Sequence, residues 1–186
     1  MTVTLYLVLL GAVAVERLAE LVVSARNARW SFARGGTEHG RGHFPAMVTL
    51  HTALLIGCAA EVVLADRPFL PALGWVALVA ALASQVLRWW CIAVLGPRWN
   101  TRVITVPGLP LVSSGPYRWL RHPNYVAVVV EGFALPLVHT AWVTALVFTV
   151  LNAVLLGWFR IPAEERALGL APRSVEHPAT TAGGPA

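Results

Sequence analysis

Apolar residues fall into five stretches, at about residues 3–23, 45–65, 69–95, 124–138 and 141–159, and polar residues gather between them. A bilayer core of about 30 Å is crossed by about 20 helical residues, so each stretch is a candidate membrane span. The first carries Glu16, Arg17 and Glu20 in its second half, which must be wet or paired. The fourth is short and contains Pro136. Between the first two lies a glycine-rich loop at 24–44, expected to be irregular. Asp66-Arg67-Pro68 and His139-Thr140 mark tight turns, and 96–123 is a long segment rich in Pro, Gly and Arg. An amphipathic piece spans 162–170, and the small, polar residues 171–186 predict a disordered tail. No internal repeat is present. The pattern predicts an all-α integral membrane protein of about five transmembrane helices, with residues 1–170 as a single domain.

Composition agrees. Of 186 residues, 57% are hydrophobic and only 12% charged, against about 25% charge in a soluble domain. The net charge of +5 does not imply a nucleic-acid partner. All fourteen basic residues are arginine, and all but Arg17 and Arg88 flank the apolar stretches instead of forming one basic face. Four lie in 24–44, four in 96–123 and three beyond 159, whereas the two remaining turns hold only Arg67. With five spans, the three arginine-rich segments share one side, which the positive-inside rule places in the cytoplasm with the N-terminus outside. Cys58 and Cys91 lie in apolar stretches and read as reduced, buried thiols. The first ten residues lack a basic n-region, so the first stretch reads as a retained helix.

Ionisable groups at membrane depth are functional candidates. They are Glu16, Glu20, His51, Glu61, Arg88 and Glu131, each with a structural ion pair as the alternative role. The most informative segment runs from Ser114 to Tyr125. Gly115-Pro116 is a turn signal, and Pro123 suits a first helical turn. Arg121 and His122 then stand at the N-terminal mouth of the fourth span, where exposed N–H groups and cations hold a carboxylate or phosphate. A lipid-headgroup anchor would look similar. Arg160 and Glu164 lie four apart just after the last span, on one face if the helix continues. Two spans separate His122 from Glu164, so an up-and-down hairpin returns both to one membrane face. Cations and paired carboxylates would converge there on an interfacial pocket, expected on the cytoplasmic side. No metal-ligand set stands out, and the Gly-rich strand-to-helix fingerprint of a Rossmann-type methyltransferase is missing.

Gly-Pro-Tyr followed by Arg-His-Pro-x-Tyr, a helical hairpin and then Arg-x-x-x-Glu-Glu resembles the integral-membrane methyltransferases, among them isoprenylcysteine carboxyl methyltransferase and the phospholipid N-methyltransferases. The resemblance covers about residues 109–168. It implies S-adenosylmethionine as cofactor, with Leu111, Val112, Tyr117, His122, Pro123, Tyr125, Glu164 and Glu165 at cofactor-binding positions. Leu109 stands where many members have His, and Ala127 where many have Gly. Glu16 to Leu21, Gly35 to Glu38, Met47 to His51 and Arg121 to Tyr125 with Glu131 are further similar to a bacterial subgroup. That subgroup accompanies type III polyketide synthases and O-methylates alkylpyrones or alkylresorcinols.

The resemblance thus implies a multi-pass protein of the bacterial inner membrane that methylates a lipophilic acceptor among membrane lipids, with a functional link to such a synthase. Methyl transfer asks the protein to orient two reactants and exclude water. Arg118, Arg121 and His122 would hold the cofactor's carboxylate, and Glu164 or Glu165 its ammonium or ribose hydroxyls. A carboxylate acceptor needs a cation such as Arg160. A phenolic or enolic one benefits from a base, for which Glu131 and His51 are the candidates. Glu131 would otherwise pair with Arg88 or hydrogen-bond Asn152. The rival readings are carboxyl methylation of an isoprenylcysteine-like substrate, a membrane NADPH-dependent reductase, and a non-catalytic lipid-binding protein.

Overall fold

A computed structural model describes residues 1–170. The tail at 171–186, expected to be disordered, lies outside the described residues. Helix α1 spans Val3–Phe32, α2 His43–Leu64, α3 Pro71–Leu95, α4 Pro123–Leu137 and α5 Trp142–Val154. The backbone of α5 continues through one π-helical stretch, Leu155–Arg160, into α6, Ile161–Ala167. Three of these segments are long and apolar enough to cross a membrane: His43–Leu64, Pro71–Arg98 and Trp142–Ala167; α4 is a shorter apolar helix. The chain is an all-α membrane protein.

Two details depart from the expected pattern. Helix α1 runs through Ser24 to Phe32 instead of ending near Val23, and the irregular loop shrinks to the residues after it. The extension is polar because its inner face meets protein: Ser24, Asn27 and Ser31 are buried there, and Arg26 and Arg29 lie on other faces. The chain turns at Gly35 with φ +75, a left-handed conformation that favours glycine. Strand β1, Thr37–His39, then pairs antiparallel with β2, Val103–Thr105, with Glu38 opposite Ile104. This ribbon is the sheet among the described residues.

Helix α4 is the centre of the bundle, and nine of its fifteen residues are buried. It packs between α3 and α5. A Cβ at Gly132 would lie 1.9 Å from the Phe148 ring, so the approach of α5 requires glycine. The core between α1, α2, α4 and α5 gathers Tyr6, Leu54, Cys58, Val62, Leu135 and Phe148. The Tyr6 hydroxyl donates to the Leu135 carbonyl at 3.1 Å, in the last turn of α4, which also contains Pro136.

The charged residues at membrane depth in α1, α3 and α4 are paired. Glu131 of α4 accepts from Arg88 of α3, and Gln85 donates to Glu131 at 3.2 Å. Arg17 of α1 reaches Glu20 at 2.8 Å, Gln85 at 2.9 Å and Glu131 at 3.4 Å. The Trp89 indole donates to Glu16. One ion-pair network therefore ties α1, α3 and α4 together. At the opposite end of the bundle, Glu61 of α2 accepts the N–H groups of Val143 and Thr144 at 3.2 and 2.7 Å. It thereby caps the first turn of α5. Exposed tryptophans form two belts: Trp75 and Trp142 near the Glu61 end, and Trp89, Trp90, Trp119 and Trp158 near the other. Tryptophan favours membrane–water interfaces, and the second belt surrounds the site described next.

Candidate active site

The segment between α3 and α4 folds over the end of the bundle. Gly96–Arg98 makes one 3₁₀ turn, β2 follows, and Gly115–Arg118 makes a second 3₁₀ turn that leads into α4. Gly115 has φ +56, and a Cβ there would lie 2.6 Å from the Val94 side chain. Glycine therefore both makes the turn and lets the segment lie against α3. His122 is the N-cap of α4 and Pro123 its first residue, one position earlier than the sequence suggests, in the site that tolerates a missing N–H. The π-helical stretch ahead of α6 brings Arg160 and Glu164 to the same place.

These elements enclose a cavity of about 540 Å³, within the usual range for a small-molecule site of about 300–1,000 Å³. Leu111, Val112, Tyr117, Arg118, Arg121, His122, Tyr125, Arg160 and Glu164 all line it. Leu109 lines it as well. The hairpin of α4 and α5 therefore joins two motifs about forty residues apart.

Two expected cofactor residues sit off the lining. Pro123 is buried in the first turn of α4. Glu165 accepts from Arg121 at 3.3 Å and meets His122 Nε2 at 3.2 Å. Glu164 lies 3.6 Å from His122 Nδ1 and accepts from the Tyr125 hydroxyl. His122 thus stands between two carboxylates. Glu164 raises its pKa above the ordinary 6.5, burial opposes, and Glu165 adds to the rise. The cation is favoured.

Arg160 is 4% exposed. Its Nε donates to the Tyr125 hydroxyl at 3.2 Å and its Nη2 to the Thr101 carbonyl. Both partners are neutral, and among the described residues no carboxylate forms a salt bridge with Arg160. A guanidinium in a cavity wall, fixed by neutral hydrogen-bond partners and one hydroxyl removed from Glu164, is suited to receive an anionic oxygen.

Glu131 and His51 are not among the residues that line the cavity. The Glu131 carboxylate is engaged by Arg88, Gln85 and Arg17, the ion-pair role weighed for it from the sequence. His51 Nδ1 lies 2.8 Å from the Met47 carbonyl, and its ring meets Phe148 edge-on at 5.4 Å. The structure adds Arg98, Trp99, Arg102 and Asn124 to the lining. Sequence spacing did not single them out, since three come from the irregular segment 96–102, whose path is set by tertiary contacts. Its one advance signal was its density of Arg and Pro.

The cavity suits S-adenosylmethionine. Its size is adequate, and it offers cations at Arg118, Arg121 and His122 beside an anion at Glu164, matching a ligand with a carboxylate and an ammonium at one end.

No solved structure matches the chain. An uncharacterized protein of Bacillus subtilis (strain 168), YpbQ, is 38% identical over 165 residues, covering 88% of this chain and 96% of the relative. The isoprenylcysteine carboxyl methyltransferase (ICMT) family matches residues 75–169, a stretch that contains most of α3, all of α4, α5 and α6, and most of the cavity wall. With the site built by that stretch, the chain belongs to the isoprenylcysteine carboxyl methyltransferase family of membrane methyltransferases.

Proposed function

We propose that the protein transfers a methyl group from S-adenosylmethionine to an acidic oxygen of a lipophilic acceptor at the membrane interface, the acceptor being an alkylpyrone or alkylresorcinol-type polyketide lipid. The observation that carries this reading is Arg160, a buried guanidinium in the cavity wall held by neutral groups alone. S-adenosylmethionine, when bound, supplies a methyl group on a positively charged sulfur. Arg118, Arg121 and His122 hold its carboxylate, and Glu164 its ammonium. Glu165 keeps Arg121 and His122 in place, and Tyr125 links Glu164 to Arg160.

Arg160 binds the acceptor oxygen in its ionised form and sets it in line for attack. That oxygen would supply the electron pair of the new carbon–oxygen bond, while the pair of the broken methyl–sulfur bond would stay on sulfur and S-adenosylhomocysteine would leave. A 4-hydroxy-2-pyrone is a vinylogous acid that gives up its proton near neutral pH, so Arg160 suffices and no base is required. This fits the placing of Glu131 and His51 off the cavity and favours the pyrone over the less acidic resorcinol. A type III polyketide synthase makes such an acceptor. The protein is accordingly placed in a bacterial inner membrane, with the cavity on the cytoplasmic side where the cofactor is made.

Two measurements test the reading. His122→Ala and Glu164→Ala should each weaken S-adenosylhomocysteine binding by about 10- to 100-fold, the scale of a lost hydrogen bond to a charged group, in titration calorimetry of folded protein. Wild-type affinity in either variant would place the cofactor elsewhere. Purified protein should methylate a long-chain 4-hydroxy-2-pyrone faster than an alkylresorcinol or a prenylcysteine. Faster esterification of the prenylcysteine would overturn the acceptor assignment.

A further inference from the structure

The matched family region begins at residue 75, so α1 lies wholly before it. Yet α1 supplies the groups that fix one side of Arg160. Ser24 and Asn27 are 3% and 8% exposed. A serine hydroxyl has one proton to donate and two lone pairs, and Ser24 uses them all. It donates to Asn100 Oδ1 at 2.7 Å, accepts from the Thr101 N–H at 3.0 Å and lies 2.7 Å from the Thr101 hydroxyl, which donates to it. The Asn27 amide donates to the Trp99 carbonyl at 2.8 Å and the Gly96 carbonyl at 3.2 Å.

These bonds orient a particular peptide plane. The Arg102 N–H donates at 3.2 Å to Asn100 Oδ1, the same oxygen that Ser24 bonds. In a trans peptide the N–H and the preceding carbonyl point in opposite directions. Holding the Arg102 N–H on Asn100 therefore turns the Thr101 carbonyl the other way, and there it accepts from Arg160. The other Arg160 partner, Tyr125, belongs to α4. Residues 99–102 include no helix or strand, so side chains do the orienting.

We propose that Ser24 and Asn27 are positioning residues for Arg160: through Asn100 and Thr101 they set the carbonyl that aims the guanidinium. The proposal rests on the reading that Arg160 receives the acceptor oxygen. An N-terminal helix outside the matched region thereby tunes the acceptor half of the site and leaves the cofactor half, built by 117–125 and 164–165, untouched.

The test uses the full chain in detergent with Ser24→Ala, Ser24→Thr, Asn27→Ala and Arg160→Lys. Phenylglyoxal labelling read residue by residue by mass spectrometry should rise several-fold at Arg160 in Ser24→Ala and in Asn27→Ala, and stay at the wild-type level in Ser24→Thr. S-adenosylhomocysteine affinity should be unchanged in the Ser24 and Asn27 variants, which also reports that each of them is folded. With a long-chain 4-hydroxy-2-pyrone, Ser24→Ala should lower kcat/KM about tenfold, as a buried hydrogen bond left unmade would, but cause no further loss in the Arg160→Lys background. Unchanged Arg160 labelling in both alanine variants, or an equal loss in both backgrounds, would overturn the proposal. Full turnover by Arg160→Lys would instead overturn the acceptor role of Arg160, and the labelling would still decide the positioning.

Discussion

His122 is the residue at which charge, the start of a helix and the cavity meet. It begins α4, lines the cavity and stands between Glu164 and Glu165. Its pKa is raised in the folded protein, first by Glu164 against the opposing burial, then by Glu165. A raised folded pKa means that the ion pairs stabilise fully below the ordinary value of 6.5. That contribution fades as pH climbs through the higher folded value. Thermal melts of ligand-free protein between pH 5.5 and 9, with pH values chosen to bracket about 6.5, check this. The advantage of wild type over His122→Gln should be largest at the acid end and shrink with rising pH. A constant difference would show that His122 titrates alike in the folded and unfolded states. The importance of His122 was legible in the sequence, because Arg-His-Pro before an apolar run places it at a helix mouth whatever the tertiary fold. The identity of its two acidic neighbours needed the hairpin of α4 and α5.

At the scale of elements, α5 shows how one helix starts another. Ala141 precedes it and offers no side-chain cap. The first orphan N–H groups end instead on Glu61 of α2, which also accepts the Thr144 hydroxyl at 2.8 Å and Arg67 at 3.0 Å. A capping carboxylate borrowed from a neighbouring helix should carry the ordinary worth of a cap. Glu61→Ala should therefore cost about 1–2 kcal/mol in denaturant unfolding from micelles, with S-adenosylhomocysteine affinity retained because the cavity lies at the other end of the bundle. Unchanged stability would mean that lipid headgroups or water cap α5 equally well. From sequence, Glu61 was a membrane-depth acid with either a structural or a functional role. Only the packing of α2 on α5 decided for the structural one.

Over the whole molecule, the network of Glu16, Arg17, Glu20, Gln85, Arg88 and Glu131 locks α1 onto the α3–α4 pair. Breaking a buried ion pair from one side leaves an uncompensated charge and costs about 3–5 kcal/mol, whereas replacing both partners by apolar groups is often neutral. Glu131→Gln should accordingly destabilise the protein strongly, and Arg88→Met with Glu131→Leu should restore most of the loss and retain turnover. If Glu131 acted as the base, the Gln variant would keep its stability and turnover would drop by about 10²–10⁴-fold. Stability restored in the double variant with turnover still absent would return Glu131 to a chemical role.

The sequence alone determined the membrane class, the main helices and the two motifs that come to line the cavity, because hydrophobic length, proline position and local spacing act within a few turns of chain. It also named Glu131 and Glu61 as groups that require partners, and Arg160 as a candidate cation. Which partners they have is a long-range matter. Thr101 and Tyr125 hold Arg160 from 59 and 35 residues away, and Glu131 meets Arg88 across 43. The continuation of α1 to Phe32 was likewise hidden, since Ser24, Asn27 and Ser31 read as a solvated loop until the segment 96–101 is folded against them. The desolvation of a polar group is settled by what covers it, and in this chain the cover comes from distant sequence.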